Sequence, residues 1–224
     1  MKKAERALRR EIVAACREMN ASGLNQGTSG NISARFGARM LITPSAVRYD
    51  AMKPEMIAAR RLDDDGAPWE GPMKPSTEWR FHEALLRERA ETAAVVHAHP
   101  PYCTALAIAR RAIPACHYMV AAFGGADVRV AGYARYGTAE LAALALVAMA
   151  GRSACLLANH GMITLGESLE RAMWRAVELE ALARQYALSL DLGGGPVLLS
   201  EAEIAEALAG FATYFKGQAA DGEA

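Results

Sequence analysis

The stretch Val95-Val96-His97-Ala98-His99-Pro100-Pro101-Tyr102-Cys103 decides both the fold and the chemistry of this chain. Residues 93–98 read as a buried strand. Side chains two apart in a strand share a face, so His97 and His99 emerge side by side at its end. Their Cα atoms then lie roughly 6–7 Å apart, a span two imidazoles can close onto one metal ion. Pro100 and Pro101 stop the strand and fix the exit of the chain. The competing reading is a pair of histidines that merely alternate. Scarcity argues against it: only five histidines occur in 224 residues, two stand here, and a third, His160, ends another apolar run.

Composition bounds what lies around this strand. A chain of 224 residues, 52% hydrophobic, can bury one sizeable core as one domain. Lys+Arg and Asp+Glu balance at 25 each, which leaves no basic footprint for nucleic acid or an anionic membrane. The N-terminus is charged and lacks the apolar core of a signal peptide. The most apolar run, residues 141–150, is too short to span a bilayer. Cys16, Cys103, Cys116 and Cys155 have no CxxC spacing and sit in apolar surroundings, as reduced packing residues of a cytoplasmic protein do.

Upstream of the His strand, residues 3–21 carry apolar side chains at helical spacing (Leu8, Ile12, Cys16, Met19), and Gly23 closes the helix. Gly-Leu-Asn-Gln-Gly-Thr-Ser-Gly-Asn (23–31) then precedes a strand over 32–36. Glycines that let N–H groups converge, with Thr28, Ser29 and Asn31 as short arms, suit either an anion nest or an ordinary polar turn. No Gly-Lys-Ser/Thr follows, so this is not a Walker loop. Strands are expected over 39–43, in a hairpin with the first, and over 56–62, with the polar loop Thr43-Pro44-Ser45-Ala46 between them. The triplet Asp63-Asp64-Asp65 lacks the rest of an EF-hand loop and reads as a solvated turn. Pro-Ser-Thr-Glu-Trp-Arg-Phe-His (75–82) opens a helix with Ser76 or Thr77 as N-cap. Glu78, in its first turn, is placed either to complement the helix dipole or to serve as a ligand. His82, one turn on, is expected to be packed.

Downstream, a helix is expected over 104–110 and strands over 128–131, 153–158 and 162–165. Thr138 caps a helix to Met149, a long helix spans 169–190, and a short one spans 201–208; residues 113–119 remain ambiguous between strand and loop. Hairpin-like strands flanked by five or six helices predict a single-domain three-layer α/β/α architecture with a central, mostly antiparallel sheet over residues 1–216. Residues 217–224 read as a flexible tail. Two histidines from one strand, His160 from another and a helix-borne Glu78 compose a set of three nitrogens and one oxygen that suits zinc, with manganese, cobalt or iron as substitutes. Such an ion acts as a Lewis acid on a carbonyl, and a displaced Glu78 is a natural general base.

Five segments, in order, resemble the class II aldolase/adducin family: Gly-Leu-Asn-Gln-Gly-Thr-Ser-Gly-Asn (23–31), Pro-Ser-Thr-Glu-Trp-Arg-Phe-His (75–82), Val-Val-His-Ala-His (95–99), Ile-Pro-Ala-Cys-His-Tyr-Met (113–119) and Asn-His-Gly-Met-Ile (159–163). The resemblance runs from the first helix to about Tyr214. It implies zinc on His97, His99 and His160, with Glu78 as displaceable fourth ligand and catalytic base. It implies a phosphate site from Thr28, Gly30, Asn31, Ser45, Ala46, Ser76 and Thr77. By the same resemblance, Tyr118 protonates the aldehyde side across a subunit boundary, and Tyr136 and Tyr214 line the aldehyde pocket. A C4 homotetramer with sites between subunits is implied too. The implied reaction is reversible cleavage of a ketose 1-phosphate (L-fuculose, a 5-deoxypentulose or methylthioribulose) to dihydroxyacetone phosphate and an aldehyde. Ser45-Ala46 departs from the Thr-Gly pair usual in the second phosphate loop, and Tyr136 stands where a phenylalanine is found. Two alternatives compete: a sibling sugar-phosphate 4-epimerase, dehydratase or decarboxylase, and a non-catalytic adducin-like interaction domain. The intact ligand positions favour an enzyme.

Overall fold

The computed structural model describes residues 2–221, and their side chains as far as residue 213. Seven strands, β1 (Asn31–Phe36), β2 (Arg39–Ile42), β3 (Ala58–Arg61), β4 (Ala94–Ala98), β5 (Arg129–Ala131), β6 (Ala154–Leu157) and β7 (Gly161–Gly166), form one sheet. Their order is β3-β2-β1-β4-β7-β6-β5, and every pairing is antiparallel except β5 with β6. Six helices accompany it: α1 (Lys3–Ala21), α2 (Trp79–Glu88), α3 (Pro101–Ile108), α4 (Ala139–Ala148), α5 (Leu169–Leu190) and α6 (Glu201–Asp221).

Strand β4 lies at the centre and is buried throughout. Its alternation divides the molecule into layers. Ala94, Val96 and Ala98 enter the apolar cluster built with α1, α3 and α5, whereas Val95 enters the one built with α2 and α4. The expected three layers are present. In α1, Ile12, Cys16 and Met19 are fully buried at spacings of four and three, the stripe that fastens the helix to the sheet. Thr138 caps α4 by accepting from the N–H of Leu141 at 3.2 Å, as expected.

Several boundaries differ from the sequence expectation. Helix α3 begins at Pro101, because proline suits a first helical position whose N–H would be unpaired anyway. Residues 54–56 form a 3-10 turn, so β3 keeps only Ala58–Arg61 of the strand expected over 56–62. The ambiguous segment 113–119 contains a bridge from Ile113 to Val128 and then a 3-10 helix, Tyr118–Phe123. Helix α6 runs from Glu201 to Asp221, past the expected end at 208 and across 217–221; residues 222–224 lie outside the described ones. Ser76 and Thr77 are not the N-cap of α2; that place is taken by Glu78.

The sheet order brings the chemistry together. The start of β1 lies beside the end of β4, with Asn31 paired to His97, and the start of β7 lies on the other side, with Met162 paired to Ala98. Three strand ends therefore open at one edge of the sheet: Asn31, the His97–His99 pair and His160.

Candidate metal centre and active site

His97 is fully buried, and its Nδ1 donates to the Met162 carbonyl at 2.8 Å. That bond keeps a proton on Nδ1, so in the neutral ring Nε2 carries the lone pair. The Nε2 of His99 lies 2.9 Å from it. The rings of His97, His99 and His160 stand with centroids 4.7, 4.8 and 4.9 Å apart. Glu78 completes the group: Oε2 is 3.2 Å from His97 Nε2, and Oε1 is 3.2 Å from His160 Nε2. Two glycines allow this closeness. A Cβ on Gly161 would lie 2.5 Å from both the Ala98 carbonyl and the His99 ring, and one on Gly30 would lie 2.8 Å from the His97 carbonyl.

These residues fit a divalent cation with nitrogen and oxygen ligands. At 2.9 Å, His97 Nε2 and His99 Nε2 can share one hydrogen or turn both lone pairs to a common cation. Glu78 Oε1 is buried with no well-aligned hydrogen bond, its near neighbour being His160 Nε2, which leaves it free to take an ion. Among the described residues, His97, His99 and His160 are the one group of three or more His, Cys, Asp or Glu side chains close enough to share a metal. Burial alone would raise the Glu78 carboxyl, but positive charge at His97 and His160, carried by protonated rings, holds it well below the usual carboxylate range. Burial, reinforced by His97 and His160, pushes the His99 imidazole down to about 3, so it is a neutral donor at physiological pH.

Glu78 makes no side-chain cap bond, which corrects the reading of it as a helix-dipole partner. Its carboxylate is drawn to the imidazoles instead, and Ser76 Oγ accepts the Glu78 N–H at 3.3 Å. His82 is buried, as expected of a packed histidine, but it also belongs to a polar network. Its Nδ1 meets Ser33 Oγ at 2.7 Å, its Nε2 meets Asn31 Oδ1, and Asn31 Nδ2 donates to Glu78 Oε2 at 2.8 Å.

Above the cluster opens a cavity of about 450 Å³. Its lining includes Thr28, Gly30, Asn31, Ser45, Ala46, Ser76 and Thr77, together with Glu78, His99 and His160 and with Tyr136. Ala46 has φ +57°, a left-handed conformation that costs an L-residue roughly 1–2 kcal/mol, at the position where the family pattern has glycine. Tyr118 does not line this cavity. It is 55% exposed and stacks on His117 and on Phe211 of α6. The side chain of Tyr214 lies outside the described residues.

Sequence reasoning missed three contributors. Tyr133, 60% exposed, joins Tyr136 at the cavity wall; two tyrosines three apart beside Gly137 were the available signal. Asn159 turns the chain into His160 at φ +54°, a conformation asparagine tolerates better than most residues, and its Oδ1 accepts from Arg110 at 3.1 Å. Glu180 of α5 accepts the N–H groups of Tyr102 and Cys103 at 2.9 and 2.8 Å, holding the start of α3 just after His99. The acidic triplet is a turn, as expected, with Asp63 paired to Arg61, Asp64 to the Gly66 N–H and Asp65 to Arg87. All four cysteines are free, and burial raises the Cys155 thiol to about 12.

The sequence model of the Class II Aldolase and Adducin N-terminal domain matches residues 10–187. A 5-methylthioribulose-1-phosphate/5-deoxyribulose-1-phosphate aldolase from Rhodospirillum rubrum is 49% identical over 93% of this chain and 92% of its own length. An L-fuculose phosphate aldolase from Escherichia coli K12 is 44% identical over 92% of this chain and 95% of its own. A solved L-fuculose 1-phosphate aldolase superposes with a TM-score of 0.86 at 37% identity, covering 91% of this chain and 95% of that one. On this agreement of sequence and fold, the chain belongs to the class II aldolase and adducin N-terminal domain family, on its metal-dependent lyase side.

Proposed function

We propose that the chain is a zinc-dependent aldolase. It reversibly cleaves a ketose 1-phosphate to dihydroxyacetone phosphate and an aldehyde. The observation that carries this reading is a buried carboxylate 3.2 Å from two imidazoles of a three-histidine cluster, beside a cavity lined by small polar residues. His97, His99 and His160 would hold the ion, with Glu78 as the fourth, displaceable ligand. Bound there, zinc supplies Lewis-acid polarisation of the substrate carbonyl and charge stabilisation on its oxygen. Manganese, cobalt or iron could substitute.

The chain's own residues do the rest. Thr28, Gly30, Asn31, Ser45, Ala46, Ser76 and Thr77 grip the phosphate through backbone N–H groups and short side chains. In the direction of condensation, Glu78 takes a proton from the carbon beside the carbonyl of dihydroxyacetone phosphate. Away from the imidazoles that hold its carboxyl low, the burial that remains makes it a stronger base. That carbon then adds to the aldehyde carbon, and a tyrosine protonates the aldehyde oxygen; cleavage runs the same steps backwards. We assign that proton to Tyr118 of a neighbouring copy, because Tyr118 is exposed and lies away from its own cavity. A C4 tetramer in the cytoplasm, with Tyr214 also at the site, completes the reading. Tyr136 and Tyr133 wall the aldehyde end, and the names of the two similar enzymes support a 5-deoxypentulose, methylthioribulose or fuculose 1-phosphate as substrate.

The test is release of dihydroxyacetone phosphate by zinc-loaded protein from a panel of fuculose, rhamnulose, ribulose, 5-deoxyribulose and methylthioribulose 1-phosphates. Turnover of at least one is expected. Silence across the panel, with about one zinc per chain bound, would move the assignment to an epimerase, dehydratase or decarboxylase.

A further inference from the structure

The geometry points to a positioning role for His82: with Ser33 behind it and Asn31 in front, it locks the amide that aims a hydrogen bond at Glu78. The four groups form a chain, Ser33 Oγ to His82 Nδ1, His82 Nε2 to Asn31 Oδ1 and Asn31 Nδ2 to Glu78 Oε2. Its direction follows from its end. Glu78 is a carboxylate that can only accept, so Asn31 must present its NH₂ group to it and its carbonyl oxygen to His82. That oxygen needs a donor, so His82 carries its proton on Nε2. Nδ1 then accepts, and the Ser33 hydroxyl supplies the hydrogen.

Every donor in the chain therefore points towards Glu78. An asparagine on its own can turn its amide over, setting an oxygen against the carboxylate; with the His82 N–H in place that turn costs two hydrogen bonds in a buried site. Ser33 and His82 are wholly buried, and Asn31 is 4% exposed, so water does not offer a substitute. His82 is further fixed by stacking on Phe81, with ring centroids 4.6 Å apart. It is not among the residues that line the cavity, and its hydrogen bonds reach the base through Asn31.

This inference rests on Glu78 being the base, and the experiment separates the two. His82→Leu removes the N–H, His82→Gln retains one at a similar reach, and Ser33→Ala removes the donor to His82 Nδ1. With 5-deoxyribulose 1-phosphate as probe, or whichever panel member is turned over, His82→Leu is expected to lower kcat about 10- to 100-fold. KM and zinc content should stay within about twofold of the parent. His82→Gln should recover most of the loss, and Ser33→Ala should lower kcat several-fold. Long-range ¹H–¹⁵N spectra of the histidine-labelled parent should show His82 protonated at Nε2 alone.

Protonation at Nδ1, equal losses in the Leu and Gln variants, or a loss confined to KM would each overturn the inference. Should the Leu variant fail to fold, the tautomer and the Ser33→Ala rate decide alone. Glu78→Gln serves as the control: if it retains near-parental turnover, the assignment of the base has failed. If it is inactive while His82→Leu is unimpaired, only the positioning role has.

Discussion

Glu78 combines burial, which opposes a charge, with a carboxyl group held below its usual range, and the positive charge at His97 and His160 reconciles the two. Glu78→Gln should keep the fold and part of the metal, since the three histidines remain. It should lose roughly 10²- to 10⁴-fold in turnover, the usual contribution of a positioned base. Parallel kcat and metal-content measurements check this, and near-normal rates would remove Glu78 from that role. The histidines were legible in the sequence because strand periodicity and the double proline put His97 and His99 on one face whatever the rest of the fold did. Glu78 was ambiguous, since a carboxylate at a helix start looks the same whether it serves the dipole or a ligand set. His82 looked like packing because its partners, Ser33 and Asn31, are about fifty positions away.

Elements carry the site through their ends. The starts of β1 and β7, the end of β4 and the first turn of α2 meet at one place, and α3 leaves from it directly after His99 and Pro100. Glu180 steadies that departure from α5 by accepting two N–H groups at the start of α3. Glu180→Ala should cost about 1–2 kcal/mol, as loss of a helix cap does. Metal affinity should weaken with it, because the start of α3, just after His99, loses its brace. Chemical denaturation and a metal titration would read both, and an unchanged midpoint with unchanged affinity would contradict the role. Which segments become helix or strand was largely readable from periodicity. The ends were not: Pro101 starts α3 rather than preceding it, and the Pro54–Met56 turn shortens β3. A boundary depends on which backbone groups find partners, and those partners come from distant parts of the chain.

At the scale of the whole molecule, layer architecture followed from the alternation of strands and amphipathic helices. The sheet order did not, because the pairing of β1 with β4 joins segments about sixty residues apart. Stability should depend on pH through His82. Burial first, then His97, pushes its imidazole down to about 3, against about 6.5 in an unfolded chain. The contribution is therefore complete above about pH 6.5 and declines as pH falls towards 3, because only the unfolded chain takes up the proton. Between pH 7 and pH 5 this amounts to about 2 kcal/mol. Denaturation curves at the two pH values should show His82→Gln losing less than the parent by that amount, and equal losses would refute the assignment.

Shared sites make a further prediction. If each site draws on two copies as proposed, Tyr118→Phe and Glu78→Gln subunits, each nearly inactive alone, should recover activity on the order of a quarter of the parent's when mixed and reassembled. No recovery would mean that Tyr118 serves its own cavity or none. The most direct measurement for the whole account is dihydroxyacetone phosphate release from the best ketose 1-phosphate before chelation, after chelation and after zinc is restored. The account predicts activity, its loss and its return, with about one zinc per chain regained. Cleavage that persists in protein shown to be free of metal would contradict it.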